Sequence, residues 1–530
     1  HLNPDHHQAG GNIEEPDRIN RKMTAMGRQP VSSQPVGDIS QGRIPGFRRW
    51  ARSHRIPITF TVTTAILYSI LAVRRHVTFH TAGWDLGIFE QAIRNYASFR
   101  MPITVLKGTG FNLLGDHFHP ILMLLAPFYA LFPTPVTLLI AQAMLFAIAA
   151  WPLVSWARAS LGARVAVAVG IIYGLSFGIA SAVGFDFHEI AFAVPLIAFS
   201  LSALGQNRMR TAVLFALPLV FVKEDLGITV VAVIGVLMFI RGARRLGTIV
   251  AVSGLVSTAL EVGVILPLIN GSAYEYWSRV AGHPMLTVLT SSAGQKAVTL
   301  ILTVAITGFA ALFSPIALVA IPTLVWRFAS SDANYWGTDF HYSAILMPIM
   351  VAAMIDGLIR ARNRRILGLR ASPVLLAVAL SVTIVTLPSH SLAQLVNEKL
   401  WTDTPHSLAI TDALGIIPDG ATVSASDNLV PQLTSRDTVT LFGLRPLATT
   451  KPQWIVVDPE STRHFRVTRT TEQKDLLAAE HSGYVVRFQS QHITLLHRAA
   501  TASTSTPAAV KTYDRQPAPS PKSTPKMAVQ

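Results

Sequence analysis

The sequence predicts a mainly α fold: a polytopic transmembrane helical bundle followed by a small C-terminal α/β domain. Three observations predict it. Half of the 530 residues are apolar and only 14% are charged, giving a mean hydropathy of +0.42, which a single soluble core does not explain. Apolar segments recur from about residue 57 to residue 388, with basic residues clustered in the short turns between them. Past residue 390 the pattern changes to short β-like runs mixed with helical stretches. The formal charge of +15 does not point to nucleic acid, because the cations neither line one face nor gather in one tail. No cysteine occurs, which excludes disulfides and thiolate metal sites or nucleophiles.

Residues 1–45 are polar, rich in His, Gly, Pro, Asn and Gln, and lack an apolar h-region, so they read as a disordered tail and not as a signal peptide. The membrane domain is expected over 46–390, with apolar segments at 57–73, 136–157, 163–182, 190–205, 211–222, 227–240, 246–269, 297–312, 315–327, 342–359 and 371–388, about 11 spans. Several are shorter than the roughly 20 residues a bilayer needs. With RRWARSHR (48–55) on the cytoplasmic side, the alternate turns holding Arg158 and Arg164, Arg208 and Arg210, Arg241, Arg244 and Arg245, and the arginines of 360–365 fall on that side too. Arg74 and Arg75, just past the first span, break the trend. Counting PILMLLAPFYALF (120–132) as a crossing would put Arg158 and Arg164 outside, so this stretch reads as an interfacial or re-entrant helix closing an outer loop over 76–119.

This orientation puts WDLGIFEQ (84–91), GDHFHP (115–120), FDFHE (185–189), VKEDLG (222–227), AYEYWSRV (273–280) and RFASSDANYWGTDFHYS (327–343) on the outer side. Ionisable groups at apolar edges are costly to dehydrate, so their convergence on one membrane face suggests a function. A single His or Asp beside a span is more often an anchor or a cap. The KED of 223–225 is harder to explain that way, since it interrupts a long apolar stretch and its charges need partners.

Beyond the last span, ATVSASD (421–427), TVTLF (438–442), WIVVD (454–458), YVVRF (484–488) and HITLLH (492–497) are strand-like, whereas NLVPQL and TEQKDLLAAE look helical. An extracytoplasmic α/β domain is expected over 391–500, without a Gly-rich phosphate loop. The Pro/Ser/Thr/Lys-rich stretch 501–530 reads as a disordered tail.

The run GDHFHPILMLLAPFYALFPTPVTLLIAQAMLFAIAAWPLVSWARASLGAR resembles the segment after the first outer loop of GT-C membrane glycosyltransferases. There a polar His/Pro start leads into an interfacial helix, a short break and a long span closed by basic residues. WDLGIFEQ, GDHFHP, FDFHE and VKEDLG together resemble a bacterial family of predicted membrane proteins of unknown function related to that class, over most of residues 80–500.

The GT-C resemblance implies transfer of a sugar from a polyprenyl-phosphate donor to a cell-envelope glycan or glycoprotein acceptor at the outer face. The implied base is an acid in the first outer loop, matched here by Asp85, with Asp116 as the alternative. The adjacent-acid pattern usual in that class is not kept, since Leu86 follows Asp85 and the next acid is Glu90. One carboxylate suffices for inverting transfer, because the departing phosphate is already a stable anion.

Arg327, at the outer end of a span, is the first candidate for the donor phosphate, followed by Lys223 and His341. Glu90, His117, His119, Asp186, His188, Glu189, Glu224 and Asp225 complete the candidate substrate-binding set. His117, His119, His188, Glu189 and Asp116 are also candidate ligands for a divalent cation, although spacing assigns no metal site. Two other readings compete: a transporter of a lipid or polysaccharide intermediate using the 223–225 charges, and a non-enzymatic cell-envelope assembly or sensor protein.

Overall fold

Each of the eleven apolar segments becomes helix, but few do so as one straight rod. The structure, a computed structural model, describes residues 45–271, 274, 276, 278, 284–366, 368–461 and 466–499. The tails expected at 1–45 and 501–530 lie outside these residues except for Pro45, as does most of AYEYWSRV. Four helical paths are long and apolar enough to cross a bilayer: His54–Val77, Pro135–Leu161, Arg244–Asn270 and Ala371–Ser389. Ala163–Gly174 and Phe177–Val183 form a fifth, bent by 44°.

Of the about 11 expected spans, several of them short, four or five among the described residues are continuous helices of bilayer length, and others are shorter apolar helices such as Glu189–Gly205, Gly227–Ile240 and Pro315–Ala329. The segment at 342–359 shows why. Its helix α1 (Leu346–Arg360) is buried at every position from Leu346 to Leu358, so its all-round apolarity answers to protein neighbours and not to lipid. The stretch 120–132, expected as an interfacial or re-entrant helix, forms a 3₁₀ turn over Pro120–Leu125 that leads into Ala126–Leu131, with Leu124, Phe128 and Leu131 exposed.

Chain order gives the bundle two unlike ends. Ala193–Gly205, Ala232–Ile240 and α1 each start beside a polar motif (His188 and Glu189, residues 223–225, and His341) and finish beside an arginine cluster. At the arginine end, Arg360 Nε lies 2.8 Å from Asp356 Oδ2, and Arg241 Nη1 donates to the Leu204 carbonyl at 2.6 Å. The helix Arg244–Leu260 packs so closely on 227–240 that a Cβ on Gly254 would lie 2.4 Å from the Gly227 carbonyl oxygen. Such backbone approach is available only to small residues, and it fixes the turn carrying 223–225 from one side. Arg74 and Arg75 also find an explanation. Arg74 donates to the Leu400 carbonyl at 2.9 Å and Arg75 to Gln394 Oε1 at 2.6 Å, so both dock the end of the first helix onto the segment after the last span.

The α/β expectation holds. Apart from a short hairpin of β1 (Arg365–Ile366) and β2 (Leu369–Arg370), the strands β3 (Thr422–Ala425), β4 (Thr438–Leu441), β5 (Trp454–Val457), β6 (Tyr484–Ser490) and β7 (Ile493–Arg498) form one sheet in the order β4-β3-β5-β7-β6. β3 pairs in parallel with β4 and β5, and β7 runs antiparallel to β5 and β6. TEQKDLLAAE lies within the helix Arg469–His481, but NLVPQL forms only a 3₁₀ turn at Val430–Gln432. One further helix, Pro405–Ile416, starts with a capping box of Thr404 and Ser407 and a Pro in its first turn.

This domain is sewn onto the first outer loop. Gln91 Nε2 donates to the Val439 carbonyl at 3.0 Å and Arg94 Nη1 to the Thr434 carbonyl at 2.8 Å. Gly83 lies so close to Val430 that an added Cβ would sit 2.5 Å from it.

Candidate functional site

The polar motifs meet at the end of the bundle opposite the arginines. Asp85, in a π-helical turn (Gly83–Gly87), lines a cavity of ≈ 90 Å³ with Asp116, His117, His119, His188, Lys223 and His341. An adjoining cavity of ≈ 50 Å³ shares His117, Lys223 and His341 and adds Glu224, Asp225 and Arg327. Five stretches distant in sequence thus supply one polar chamber.

Its charges are largely paired. Lys223 Nζ lies 3.1 Å from Glu189 Oε1, and His188 Nδ1 lies 2.6 Å from Glu189 Oε2, with Glu189 fully buried behind the wall. His117 Nδ1 lies 2.7 Å from Glu224 Oε1, which also accepts from the Tyr274 hydroxyl at 2.6 Å. The His188 and His341 rings stack with centroids 3.5 Å apart. Asp116 pairs with Lys107 and accepts from the Tyr276 hydroxyl at 3.3 Å. Burial pushes the Asp116 carboxyl up, but the charges of His117 and Lys107 outweigh it and hold the group below the usual carboxylate range. Burial lowers His119 to about 4, so at neutral pH its ring is a neutral hydrogen-bonding group and not a cation.

Three expected residues take other places. Glu90 lines neither cavity: its carboxylate accepts from the Tyr129 hydroxyl at 2.8 Å and from Thr434, and burial raises it to about 7. Asp186 is buried under the outer loop, where Oδ2 accepts the Ala82 N–H at 2.9 Å. Arg327 borders the smaller cavity but spends its donors on the 335–343 loop, reaching the carbonyls of Tyr335 (2.8 Å), Gly337 (2.7 Å) and Tyr342 (3.3 Å) and Ser343 Oγ (3.3 Å). It shapes the wall more than it presents a fork to a ligand. Among the described residues no three His, Asp or Glu side chains converge to hold a metal ion, so the geometry does not favour the cation site considered for His117, His119, His188, Glu189 and Asp116.

The chamber also holds residues that the sequence reading gave no role. Lys107 and Arg466 reach the larger cavity, and Trp84, Tyr276, Tyr335 and Tyr342 add aromatic wall. Beside the chamber, an apolar groove of ≈ 620 Å³ is lined by Leu124, Phe128, Phe132, Ile140, Met144 and Phe192, among others. Groove and chamber share the turn Glu189–Phe192, whose Ile190 lines the smaller cavity and whose Phe192 lines the groove, and Pro120–Leu125 of the groove follows His119 of the larger cavity directly in sequence.

The sequence profile of a family described as predicted membrane protein (DUF2079) matches residues 75–494. The chain belongs to the DUF2079 family. A search of curated proteins finds no match. Among solved structures, the DUF2079 chain is similar to the crystal structure of ArnT from Cupriavidus metallidurans bound to undecaprenyl phosphate. The TM-score is 0.51 at 12% identity, covering 84% of this chain and 98% of that one. The apo state of the same protein matches with TM-score 0.51 at 12% identity, covering 85% and 98%. At that identity the likeness establishes the fold: this is a multi-pass membrane protein with the GT-C-like architecture of ArnT and a small sheet at its C-terminal end.

Proposed function

We propose that the protein is a membrane glycosyltransferase that moves a sugar from a polyprenyl-phosphate donor to a cell-envelope acceptor. The observation that carries this reading is a carboxylate-lined polar chamber joined to an apolar groove through the turn Glu189–Phe192 and through the step from His119 into Pro120–Leu125. A lipid-linked sugar needs both: a wet site for the reacting headgroup and a greasy path for the chain. The ArnT fold, seen in a structure holding undecaprenyl phosphate, supports the same class of donor. The arginine clusters at the opposite end support a chamber at the outer leaflet, with the N-terminus cytoplasmic and the C-terminal domain outside.

Asp85 is the base. Both Asp85 and Asp116 line the larger cavity, but Asp116 is paired with Lys107 and held below the usual carboxylate range, which makes it the weaker proton acceptor by that pairing and leaves the role with Asp85. The Asp85 carboxylate takes the proton from an acceptor hydroxyl while that oxygen bonds to the anomeric carbon. The bond from that carbon to the phosphate oxygen breaks, and its electron pair leaves with the polyprenyl phosphate. Lys223, held by Glu189, places an ammonium on the wall of both cavities, and the tyrosines offer ring faces to a sugar.

The test is turnover by the purified full chain against a panel of polyprenyl-phosphate sugars, wild type beside Asp85→Asn. Product from wild type and a loss of about 10²-fold or more in the variant is expected. Equal product from both removes Asp85 from the base role, and no product with any donor defeats the glycosyltransferase reading.

A further inference from the structure

The smaller cavity is ringed by polar atoms that the fold leaves unsatisfied. Asp225 Oδ1, Thr323 Oγ1 and His341 Nδ1 are enclosed and meet no hydrogen-bond partner among the described residues, and all three residues line this cavity. Three separate elements deliver them: the turn at 222–227, the helix Ala320–Ala329 and the loop that runs into α1. Thr323 shares its helix face with Trp326 and Arg327 at spacings of three and four, so one face supplies a hydroxyl, a ring and a cation. Enclosed polar atoms without partners cost free energy, and three of them around one space point to an occupant that hydrogen-bonds to each.

The charges around that space are otherwise committed. Lys223 is matched to Glu189, and His117 to Glu224, whose Oε2 also accepts the Phe118 N–H at 3.1 Å. Arg327 is spent on loop carbonyls. Among the described residues the Asp225 side chain makes no ion pair and no hydrogen bond. Over the lining and the partner behind it, Lys223 and Arg327 stand against Glu224, Asp225 and Glu189, while Glu261 acts on Glu224 and Asp225 from outside the lining. This balance does not favour an anion.

We propose that the smaller cavity is the sugar subsite, taking the hydroxyl-bearing edge of one neutral monosaccharide, with Asp225 accepting a hydroxyl and Thr323 and His341 bonding its neighbours. The proposal rests on the reading of the chamber as a polyprenyl-phosphate-sugar site. A hydroxyl both donates and accepts, so adjacent ones on a ring can answer a carboxylate, another hydroxyl and an imidazole together. Burial, and then the His188 ring, hold His341 well below the usual imidazole range, so it meets the sugar as a neutral group. Trp326, Tyr335 and Tyr342 pack ring against ring, with centroids 5.1 and 4.6 Å apart, and give the C–H side of the sugar an apolar wall. A uronic acid would set its carboxylate against Glu224 and Asp225. Lys223 and His341 line both cavities, so the anomeric carbon of a sugar seated here faces the cavity that Asp85 lines.

Binding by the purified full chain in detergent micelles tests it. The probes are C15 prenyl-phosphate glucose, mannose and galactose, the corresponding glucuronic acid, the sugar-free C15 prenyl methyl phosphate and C15 prenyl alcohol. Wild type is expected to bind at least one neutral sugar about tenfold tighter than the methyl phosphate, and the glucuronic acid no tighter than the methyl phosphate. Asp225→Ala should lose about tenfold in affinity for that sugar with unchanged affinity for the methyl phosphate. Asp225→Asn keeps an acceptor oxygen and should recover part of the loss, and Thr323→Val should lose about threefold. Equal binding of the sugar by wild type and Asp225→Ala overturns the assignment and leaves the donor class standing. Equal loss for sugar and methyl phosphate gives Asp225 a structural role and also overturns it. A wild type that gains nothing from any neutral sugar, or gains more from glucuronic acid, overturns the neutral-sugar subsite. One that binds prenyl methyl phosphate no tighter than prenyl alcohol defeats the donor reading itself.

Discussion

Asp427 and Trp84, 343 residues apart, are joined where the Asp427 carboxylate accepts the Trp84 N–H at 2.9 Å, while the Asp427 carbonyl accepts the Gly83 N–H at 2.8 Å. One residue of the C-terminal domain therefore satisfies two backbone donors at the start of the turn that carries Asp85. Helix-start donors have no partner within their own turn and must find one elsewhere. The sheet gives Asp427 its position, directly after the central parallel strand β3.

Asp427→Ala is expected to leave the Trp84 N–H without its acceptor and to cost about 1–3 kcal/mol. Asp427→Asn keeps an acceptor oxygen and should recover most of that. Hydrogen exchange checks it: protection at Trp84 should fall in the alanine variant and persist in the asparagine variant, while the transmembrane helices keep their protection.

Glu90 predicts a pH dependence. Burial holds its carboxyl at about 7 against an ordinary 4.5, so the folded state keeps a proton that the unfolded chain has released. Stability from this group is fully present below about pH 4.5 and is lost as pH rises through about 7, a change of order 3 kcal/mol. Glu90→Gln retains groups for the Tyr129 and Thr434 hydroxyls and cannot ionise. Thermal unfolding across pH should show the variant more stable than wild type above pH 7, with the two curves converging below about pH 5.

What was legible in the sequence follows from what each signal measures. Each apolar segment that hydropathy located is helical, but lipid and protein core are equally apolar, so the buried helix α1 and the lipid-length Arg244–Asn270 read alike. Charges were informative where they were rare: Asp85, Asp116, His117, His119, His188 and Lys223 stand out against apolar neighbours, and they do meet in one cavity. Lys107 and Arg466 lie in ordinary polar stretches and gave no such signal. For Arg327 the anomaly was visible but its meaning was not, because a buried guanidinium can serve a ligand or a loop, and only the positions of the 335–343 carbonyls decide between them. Glu90 was drawn into the candidate set by its nearness to Asp85, yet on a helix five positions turn the side chain to another face.

That role for Arg327 can be tested. Arg327→Lys keeps the charge but replaces a rigid fork with one rotatable ammonium, which cannot hold the Tyr335, Gly337 and Tyr342 carbonyls together. A loss of about 2–4 kcal/mol is expected. It should appear as faster proteolysis within 330–343 and a lower melting temperature. A variant with unchanged stability but weakened phosphate binding would instead restore Arg327 to the ligand.

The pair of Lys223 and Glu189 gives the sharpest energetic test, because both charges are held at the bundle end with 3.1 Å between them. Removing one partner strands the other in a poorly solvated place, so Lys223→Met or Glu189→Gln alone should cost about 3–5 kcal/mol. Glu189 also holds His188, so its loss should loosen the stacked His188 and His341 rings as well. Removing both charges together abolishes the stranded ion, and the double variant should be more stable than the sum of the single losses by about 2 kcal/mol or more. Equilibrium unfolding of the four proteins in one detergent supplies the cycle. If Lys223 serves the donor through its charge, the double variant regains stability without regaining binding of prenyl phosphate; if the pair only holds the helices together, stability and binding return together.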